Sequence, residues 1–521
     1  MKKYNQPYRL LVIIALLFSI LSAKGQSAGN TFLQHLPPNA TNIFRINLPV
    51  IGSKIDLPAL LAHLPMKTAT GQALTDPASV GIDLHQDIYV TETSTAPDSP
   101  AYVCFIVHLA DSGKLTTYIR NSYPKARFLR IPGKNPVAGA EEGIGFAWND
   151  RLAVLTVMRI TPGHQPSPDR SAWYTRKAVS QSQAMLQGYH NSFFTTNQEF
   201  ITRFSSDADL TTWGTQGSNL TMMTKGITHM PGNDGMTKMA TQPQLKTITD
   251  FRFENGRLLI NSATHLPPDT TGSLARITSR PFNESLAASL PQGNLIGIAS
   301  MHVDPSAILS MIKKIQPKLD SLLNKKGANI SRFVTAFKGD FLVAAIAPQG
   351  DTATHKKVNF YFVSTINDQT ALLDFAHQIH LLKDSAAGNT PDTSKSPFNK
   401  MQTAYTIHDS ICVISGTQTL AETYFTTSPH KVDLVSDDFR NNFFTLVVDI
   451  KALQAFLHSI PAGSDAQSGK AQQMQALLGQ FNRFTITMGI EKANELTSSL
   501  EVKLSDPSVN SLKLLSALLI H

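Results

Sequence analysis

The sequence predicts an α+β fold: duplicated halves, each of three strand–helix–strand–strand units, forming mostly antiparallel sheet covered by helices. Three observations carry this. The stretch LPPNATNIFRINLPVIGSKIDLPALLAHL, from Leu36, recurs in pattern as LPQGNLIGIASMHVDPSAILSMIKKI, from Leu290. Alternating apolar and polar runs come in pairs around short polar turns, as hairpins do. Between the pairs stand apolar residues at helical spacing.

The units follow in order. Each half opens on Leu-Pro and a strand, then a break holding Pro49 or Pro305, where proline's missing N–H costs little at the first turn of a helix. Paired strands are read in GIDLHQDIYVTET from Gly81 and FVTAFKGDFLVAAIA from Phe333, with a tight turn expected at Lys338-Gly339, matching Leu84-His85-Gln86. Second units run from AYVCFIVHLADSGKLTTYIR and VNFYFVSTINDQTALLDFAHQI to hairpins turning at Asn149-Asp150 and His408-Asp409. Third units pair ADLTTWGTQGSNLTMM with FFTLVVDIKALQAFLHSI, closing on hairpins ITDFRFENGRLLINSATHL and FTITMGIEKANELTSSLEVKL. Phe251 and Phe253 alternate with Arg252 and Glu254, which predicts sheets with one face buried and one solvated. The turn-rich segment Leu266 to Ser285 divides the chain into halves at 31–280 and 281–521, and a polar loop begins at Asp384.

Residues 1–25 read as a signal peptide. Lys2, Lys3 and Arg9 precede the apolar run LLVIIALLFSILSA, and Ala23-Lys24-Gly25 supplies small residues around a cleavage site before Gln26. Fourteen residues span roughly 21 Å as a helix, short of the ~30 Å hydrocarbon core of a bilayer. The expected mature chain is exported to the periplasm or cell envelope, has no transmembrane span, and is not a lipoprotein, since no cysteine follows the leader. The G-x-S-x-G pattern GQSAG, Gly25 to Gly29, falls on this junction; cleavage takes one glycine and strands Ser27 on a terminus, where no strand–turn–helix can form around it.

The formal charge of +8 includes four basic residues of the leader, which leaves about +4 on the mature chain. So weak and dispersed an excess makes no case for nucleic acid. Cys104 and Cys412 both lie in apolar alternating runs, as buried small hydrophobes do; whether they pair is open.

The Leu-Pro-x-x-Ala start at Leu36, the stretch GIDLHQDIYV and the join TTNQEFITRFSSDADLTTW together resemble an exported Bacteroidota-type family catalogued as a domain of unknown function. The resemblance spans nearly all of the mature chain. It implies a cell-envelope location and brings no activity, cofactor or catalytic residue. The chain departs from the family pattern in its third unit, where Trp213-Gly214 replaces the usual strand-to-helix step.

Chemistry-bearing motifs are incomplete. Ser310 to Lys313 is an S-x-x-K without the S-D-N and K-T-G elements that complete its proton relay. Asp374, His377 and His380 form a D-x-x-H-x-x-H row with no further zinc ligand nearby. GAEEGIG, Gly139 to Gly145, lacks the following helix and lysine of a phosphate cradle and reads as a loop. No catalytic residue, metal ligand or cofactor is assigned. A long helical insertion at 171–204 marks the first half, with Leu186, Tyr189, Phe193, Phe200 and Phe204 on one helix face. Two readings of its aromatics stand side by side: an amphipathic helix packed on the sheet, or a groove between the halves. Trp173, Tyr174, Tyr189 and Trp213 are the binding candidates for such a groove, for an envelope protein, peptide, glycan or lipid. The leading functional expectation is a non-enzymatic binding or scaffold module of the cell envelope. The alternative is an exported hydrolase whose unrecognised site lies between the halves.

Overall fold

The computed structural model describes residues 32–56, 77–93, 101–129, 135–140, 143–159, 168–214, 246–265, 281–307, 309–310, 330–348, 358–378, 404–459, 475–492 and 495–520. The signal peptide with Ser27, the divider at 266–280 and the loop at 384–400 lie outside these residues. The chain is α+β and forms two compact units: residues up to 218, 246–260 and 508–521 make the first, 219–245 and 261–507 the second.

The first unit is built on strands β1 (Ala40–Ile46), β2 (Ile88–Thr93), β3 (Ala101–His108), β4 (Arg127–Leu129), β5 (Val137–Ala140), β6 (Ile144–Trp148), β7 (Leu152–Arg159), β8 (Leu210–Gly214) and β9 (Lys246–Glu254), with β10 (Arg257–His265) hairpinned to β9. Their order is β4-β5-β6-β7-β3-β2-β1-β8-β9, each neighbouring pair antiparallel. Helices start where side chains can cap them: Asn47 accepts from Val50 N ahead of α1 (Leu48–Gly52), and Asp111 from Gly113 and Lys114 N ahead of α2 (Ser112–Ser122). Helix α3 (Pro168–Gln187) lies across β5 to β7. It comes so close at Ala178 that a Cβ on Gly145 of β6 would enter its backbone. The glycines of GAEEGIG thus serve helix-on-sheet contact, and Gly139 and Gly145 face each other across the β5–β6 ladder.

Alternation puts Ile43 on one face of β1 and Ile46 on the other, and both are buried. The Ile43 face joins Tyr89, Ile106, Val154 and Trp213 beneath Met185, Phe194, Phe200 and Phe204. The Ile46 face joins Ile88, Leu210, Phe253 and α1 residues Leu48 and Ile51. The expectation of one solvated face is therefore corrected: NIFRI and its neighbours carry apolar side chains at both parities, and both faces are covered.

The 171–204 insertion is not one helix. Gly188, at φ 89°, ends α3 by donating its N–H to Ala184 and Met185, and Asn191 follows at φ 62°. Two short helices come next, α4 (Phe193–Thr196) and α5 (Gln198–Phe204), the latter capped by Asn197. The five spaced apolar residues still converge on one core because the breaks fold them back.

The second unit comprises β11 (Asn294–His302), β12 (Phe337–Ala347), β13 (Asn359–Ile366), β14 (Ala404–His408), β15 (Ile411–Ser415), β16 (Phe444–Asp449), β17 (Phe481–Lys492) and β18 (Glu495–Leu504). Their order is β14-β15-β13-β12-β11-β16-β17-β18, again antiparallel throughout. Ile298, Leu342, Val363, Val413 and Val447 form its main core with Tyr424 of α9 (Gln418–Thr426; the intervening helices α6, Ser285–Ala288, α7, Ile330–Thr335, and α8, Gln369–Gln378, precede it). Tyr424 places its hydroxyl on the Leu286 carbonyl at 2.8 Å.

Two further expectations are corrected. Lys338-Gly339 is no hairpin turn: it lies inside β12, where the register shifts between Phe337 and Phe341, so the glycine makes a bulge. GIDLHQDIYV likewise holds no hairpin: only its last three residues are strand, the start of β2, and Ile82 makes a single bridge to Leu109. The C-terminal helix, Ser511–Ile520, belongs to the first unit, with Leu512 fully buried alongside Ile46 and Phe253. Asn510 anchors the return by donating to the Phe253 carbonyl at 3.1 Å. A leucine-rich terminus gains most by burying its apolar stripe wherever a face is open. Leu512→Ala is expected to lower stability by about 2 kcal/mol; a urea midpoint unchanged from wild type would refute the docking.

Candidate functional site

The charged groups of the first unit gather where β1, β2, β8 and β9 meet the end of α5. Arg45, 2% exposed, donates through Nε to Asp87 at 2.7 Å and through Nη1 to the carbonyls of Phe204 at 3.0 Å and Ser206 at 2.6 Å. Lys54 reaches both oxygens of Asp209 at 2.7 and 2.6 Å, and Asp209 also accepts from Phe253 N at 2.7 Å. Asp250 accepts from the Thr211 hydroxyl at 2.8 Å. Burial pushes the Asp209 and Asp250 carboxyls above their ordinary range, against the pull of Lys54 on the first and of Thr211 and Arg252 on the second. Each of these groups is already engaged by protein. The cluster ties the strands to the turn after α5 and presents no group to a substrate.

The described cavity lies in the second unit, on the face of its sheet opposite Ile298. It holds about 410 Å³ and is bordered by Met301, Phe341, Val343, Phe362 and Phe444 of four adjacent strands, with Phe333 and Val334 of α7 at one side. Ser300 alone among its lining residues carries a polar side chain. Val343 is 43% exposed, so the cavity opens to solvent. The ladders make this wall: Phe341 stands opposite Met301 and Met301 opposite Phe444, while Phe362 stands opposite Val343. Such a surface offers dispersion and desolvation to an apolar guest and no hydrogen bonds to a polar one.

The binding candidates read from sequence fall in two places. Trp213 is buried against Phe194 and Phe200, with ring centroids 5.0 and 6.0 Å away. Tyr189 packs against the same core, and burial pushes its hydroxyl up to about 12. Trp173 and Tyr174 sit at the start of α3, edge to face at 5.3 Å, with the Lys177 ammonium 5.5 Å from the indole. Only Trp173 of the four is exposed. The weaker motifs fare similarly. Ser310 donates to the Ser306 carbonyl at 2.8 Å, Lys313 and His380 lie outside the described residues, and Asp374 pairs with Arg332 at 3.1 Å.

Both cysteines are free and buried; burial pushes the Cys104 thiol up to about 11 and that of Cys412 up to about 12. Neither is expected to react with a neutral thiol reagent in the folded protein at pH 8, while both react in denaturant. Rapid labelling of the native chain would contradict this placement.

His35 is buried beside α3, its Nδ1 2.8 Å from the Met185 carbonyl, and His108 packs against Phe32 with ring centroids 4.5 Å apart, tilted by 57°. Burial holds both imidazoles below the usual histidine range, outweighing the Met185 carbonyl at His35 and Asp83 at His108. The unfolded chain therefore takes up these protons first as pH falls. The stability they contribute is complete above about pH 6.5 and is lost below it. His35→Gln is expected to flatten the fall in urea midpoint between pH 7 and pH 5; an unaltered slope would exclude the role.

Sequence reading passed over Arg45, Asp209 and Asp250, and over the cavity wall. The signal for the first group was a charge inside an apolar strand, as in NIFRI and ITDF. For the wall it was apolar residues at both parities of β11 to β13.

No family model matches the chain, and no curated protein matches it. Among solved structures it is similar to TP0453 in several crystal forms. Form I is 9% identical over 49% of this chain and 89% of that one, at a TM-score of 0.28. Form III is 8% identical over 50% and 90%, at 0.27, and form IV 10% identical over 47% and 84%, at 0.26. Likeness at this level carries no argument about fold or function.

Proposed function

We propose that the chain is an exported cell-envelope binding module, built from duplicated halves, which holds an apolar ligand in the cavity of its second unit. The observation that carries the reading is the cavity wall itself, which offers carbon surface and almost no polar group. A glycan would leave its hydroxyls unpaired there, at a cost of kilocalories. Ser300 supplies the wall's one side-chain hydroxyl, and no histidine or carboxylate lines the wall with it, so the hydrolase alternative gains no support from it.

Strand register supports the duplication. Asn149 and Leu152 flank a two-residue turn, as do His408 and Ile411. Setting Leu152 with Ile411 and following the ladders matches Val154 with Val413, Ile106 with Val363, Tyr89 with Leu342, Ile43 with Ile298 and Trp213 with Val447. No slip is needed across five strands, and every matched residue belongs to the main core of its unit. The leader and the family resemblance support export without a lipid anchor; terminal sequencing of the envelope fraction is expected to begin near Gln26.

The binding reading is tested with the apolar dye 1-anilinonaphthalene-8-sulfonate. Saturable fluorescence enhancement is expected with the folded chain and is lost in Val343→Asp. Equal enhancement in both proteins would discard the cavity as the site.

A further inference from the structure

The wall of the cavity has a counterpart in the first unit that is filled. The ladders that match the two cores also match their opposite faces, setting Ile46 with Met301, Ile88 with Phe341 and Leu210 with Phe444. In the first unit those three residues share a core with Leu512 and Leu515 of the C-terminal helix. That helix reaches the first unit from the far end of the chain, after the last strand of the second unit is complete. The sequence at the corresponding place in the first half, after β10, is LPPDTTGSLARITSRP, rich in proline and hydroxyl residues, where the C-terminal helix reads SLKLLSALLI. Among the described residues, Met301 and Phe341 pack on Val303 and Ala307 and, with Phe444, border a cavity where the first unit holds a leucine.

We infer that the cavity is the docking site for a short amphipathic helix of a partner protein, one that presents leucine-sized side chains three residues apart. The inference rests on the binding reading above and names its ligand. Residues three apart share one face of a helix, so a single helix can set two such side chains against the wall at once. The wall carries no charge, so the inserted face must be apolar, and the rest of the helix can remain polar, as in other helix-in-groove pairs. A cavity of about 410 Å³ falls within the roughly 300–1,000 Å³ of ordinary ligand pockets.

The probe is the synthetic peptide SVNSLKLLSALLIH, the sequence of residues 508–521, labelled with fluorescein and titrated by anisotropy into the full chain. Saturable binding is expected, weakened at least tenfold by Val343→Asp and unchanged by Leu129→Asp, an exposed position of the first unit. A peptide with aspartate in place of both Leu512 and Leu515 is expected not to bind. Both protein variants alter exposed residues, and matched urea midpoints verify that they fold. Absent binding, or equal binding to the two variants, overturns the inference. If the dye binds and the peptide does not, the cavity stands and its occupant is wrong; if neither binds, both readings fail. Displacement of the dye by dodecanoate but not by peptide would assign the cavity to a hydrocarbon chain and overturn the helix.

Discussion

Arg45→Met is expected to destabilise the protein by about 3–5 kcal/mol, the range for removing one partner of a buried ion pair. The guanidinium is 3% exposed and its partner Asp87 14%, so neither can turn to water when the other is lost. Two carbonyls, of Phe204 and Ser206, lose their donor as well. They terminate α5, where helix carbonyls lack partners within the helix and a cation is favoured. Arg45→Lys keeps the charge but offers one compact ammonium to acceptors that the planar fork reaches separately, so it is expected to recover less than half of the loss. Arg45→Met combined with Asp87→Leu is expected to be more stable than Arg45→Met alone, because the orphaned carboxylate is gone. Urea midpoints of the four proteins close the cycle. A loss below about 1 kcal/mol in Arg45→Met would mean that water reaches the site and that the clamp is ornamental.

The same strand shows what a sequence can and cannot carry. The alternation in NIFRI identified β1, and the paired runs identified β6–β7, β9–β10, β14–β15 and β17–β18, since hairpins are local and their turns announce themselves. The turn residues Asn149-Asp150 and His408-Asp409 were legible for that reason. Positions whose state depends on distant chain were not. Gly81 to Val90 looks like a hairpin until Ile82 is seen bridging Leu109. The C-terminal leucines look like a helix of the second half until Leu512 is seen buried beside Ile46. The insertion at 171–204 has helical spacing throughout, and only the two positive-φ residues, Gly188 and Asn191, divide it.

The candidate site was less legible still. Aromatic residues drew the sequence reading to Trp213, Tyr189, Trp173 and Tyr174, yet large rings are as useful in a core as in a groove, and Phe194 and Phe200 claim Trp213. The cavity is made of ordinary strand residues, Met301, Val343, Phe362 and Phe444, which are apolar just as covered positions are. What distinguishes them, among the described residues, is the absence of matched filling, and that emerges only when the registers of two sheets are compared. Shared patterns in the sequence led to the expectation of a repeat; the proposed site follows from where the two sheets differ.

Gly339→Ala is expected to cost about 4 kcal/mol or more, beyond the usual range of single substitutions. Three effects converge on the position. Its φ of 107° lies where a side chain strains the backbone, worth about 1–3 kcal/mol by itself. An added Cβ would be driven into the Val303 carbonyl oxygen and would stand 3.1 Å from Pro305 Cδ, so the backbone must move rather than a side chain. That movement would break the bond from Val303 N to the Gly339 carbonyl, 2.9 Å long, which joins β12 to the end of β11. Asp340 follows, buried, with its Oδ2 accepting from the Thr365 hydroxyl at 3.3 Å, so displacement of the bulge spreads into β13. Gly416→Ala is the control, because a Cβ there meets nothing within 4 Å; a change within about 0.5 kcal/mol is expected. Val303 and Pro305 border the cavity, so any Gly339→Ala protein that still folds is also expected to bind the apolar dye at least tenfold more weakly. Urea midpoints for the two alanine variants decide the first claim and dye titration the second. Equal midpoints would show that β12 can be redrawn without its bulge, and unchanged dye affinity would show that the cavity does not depend on it.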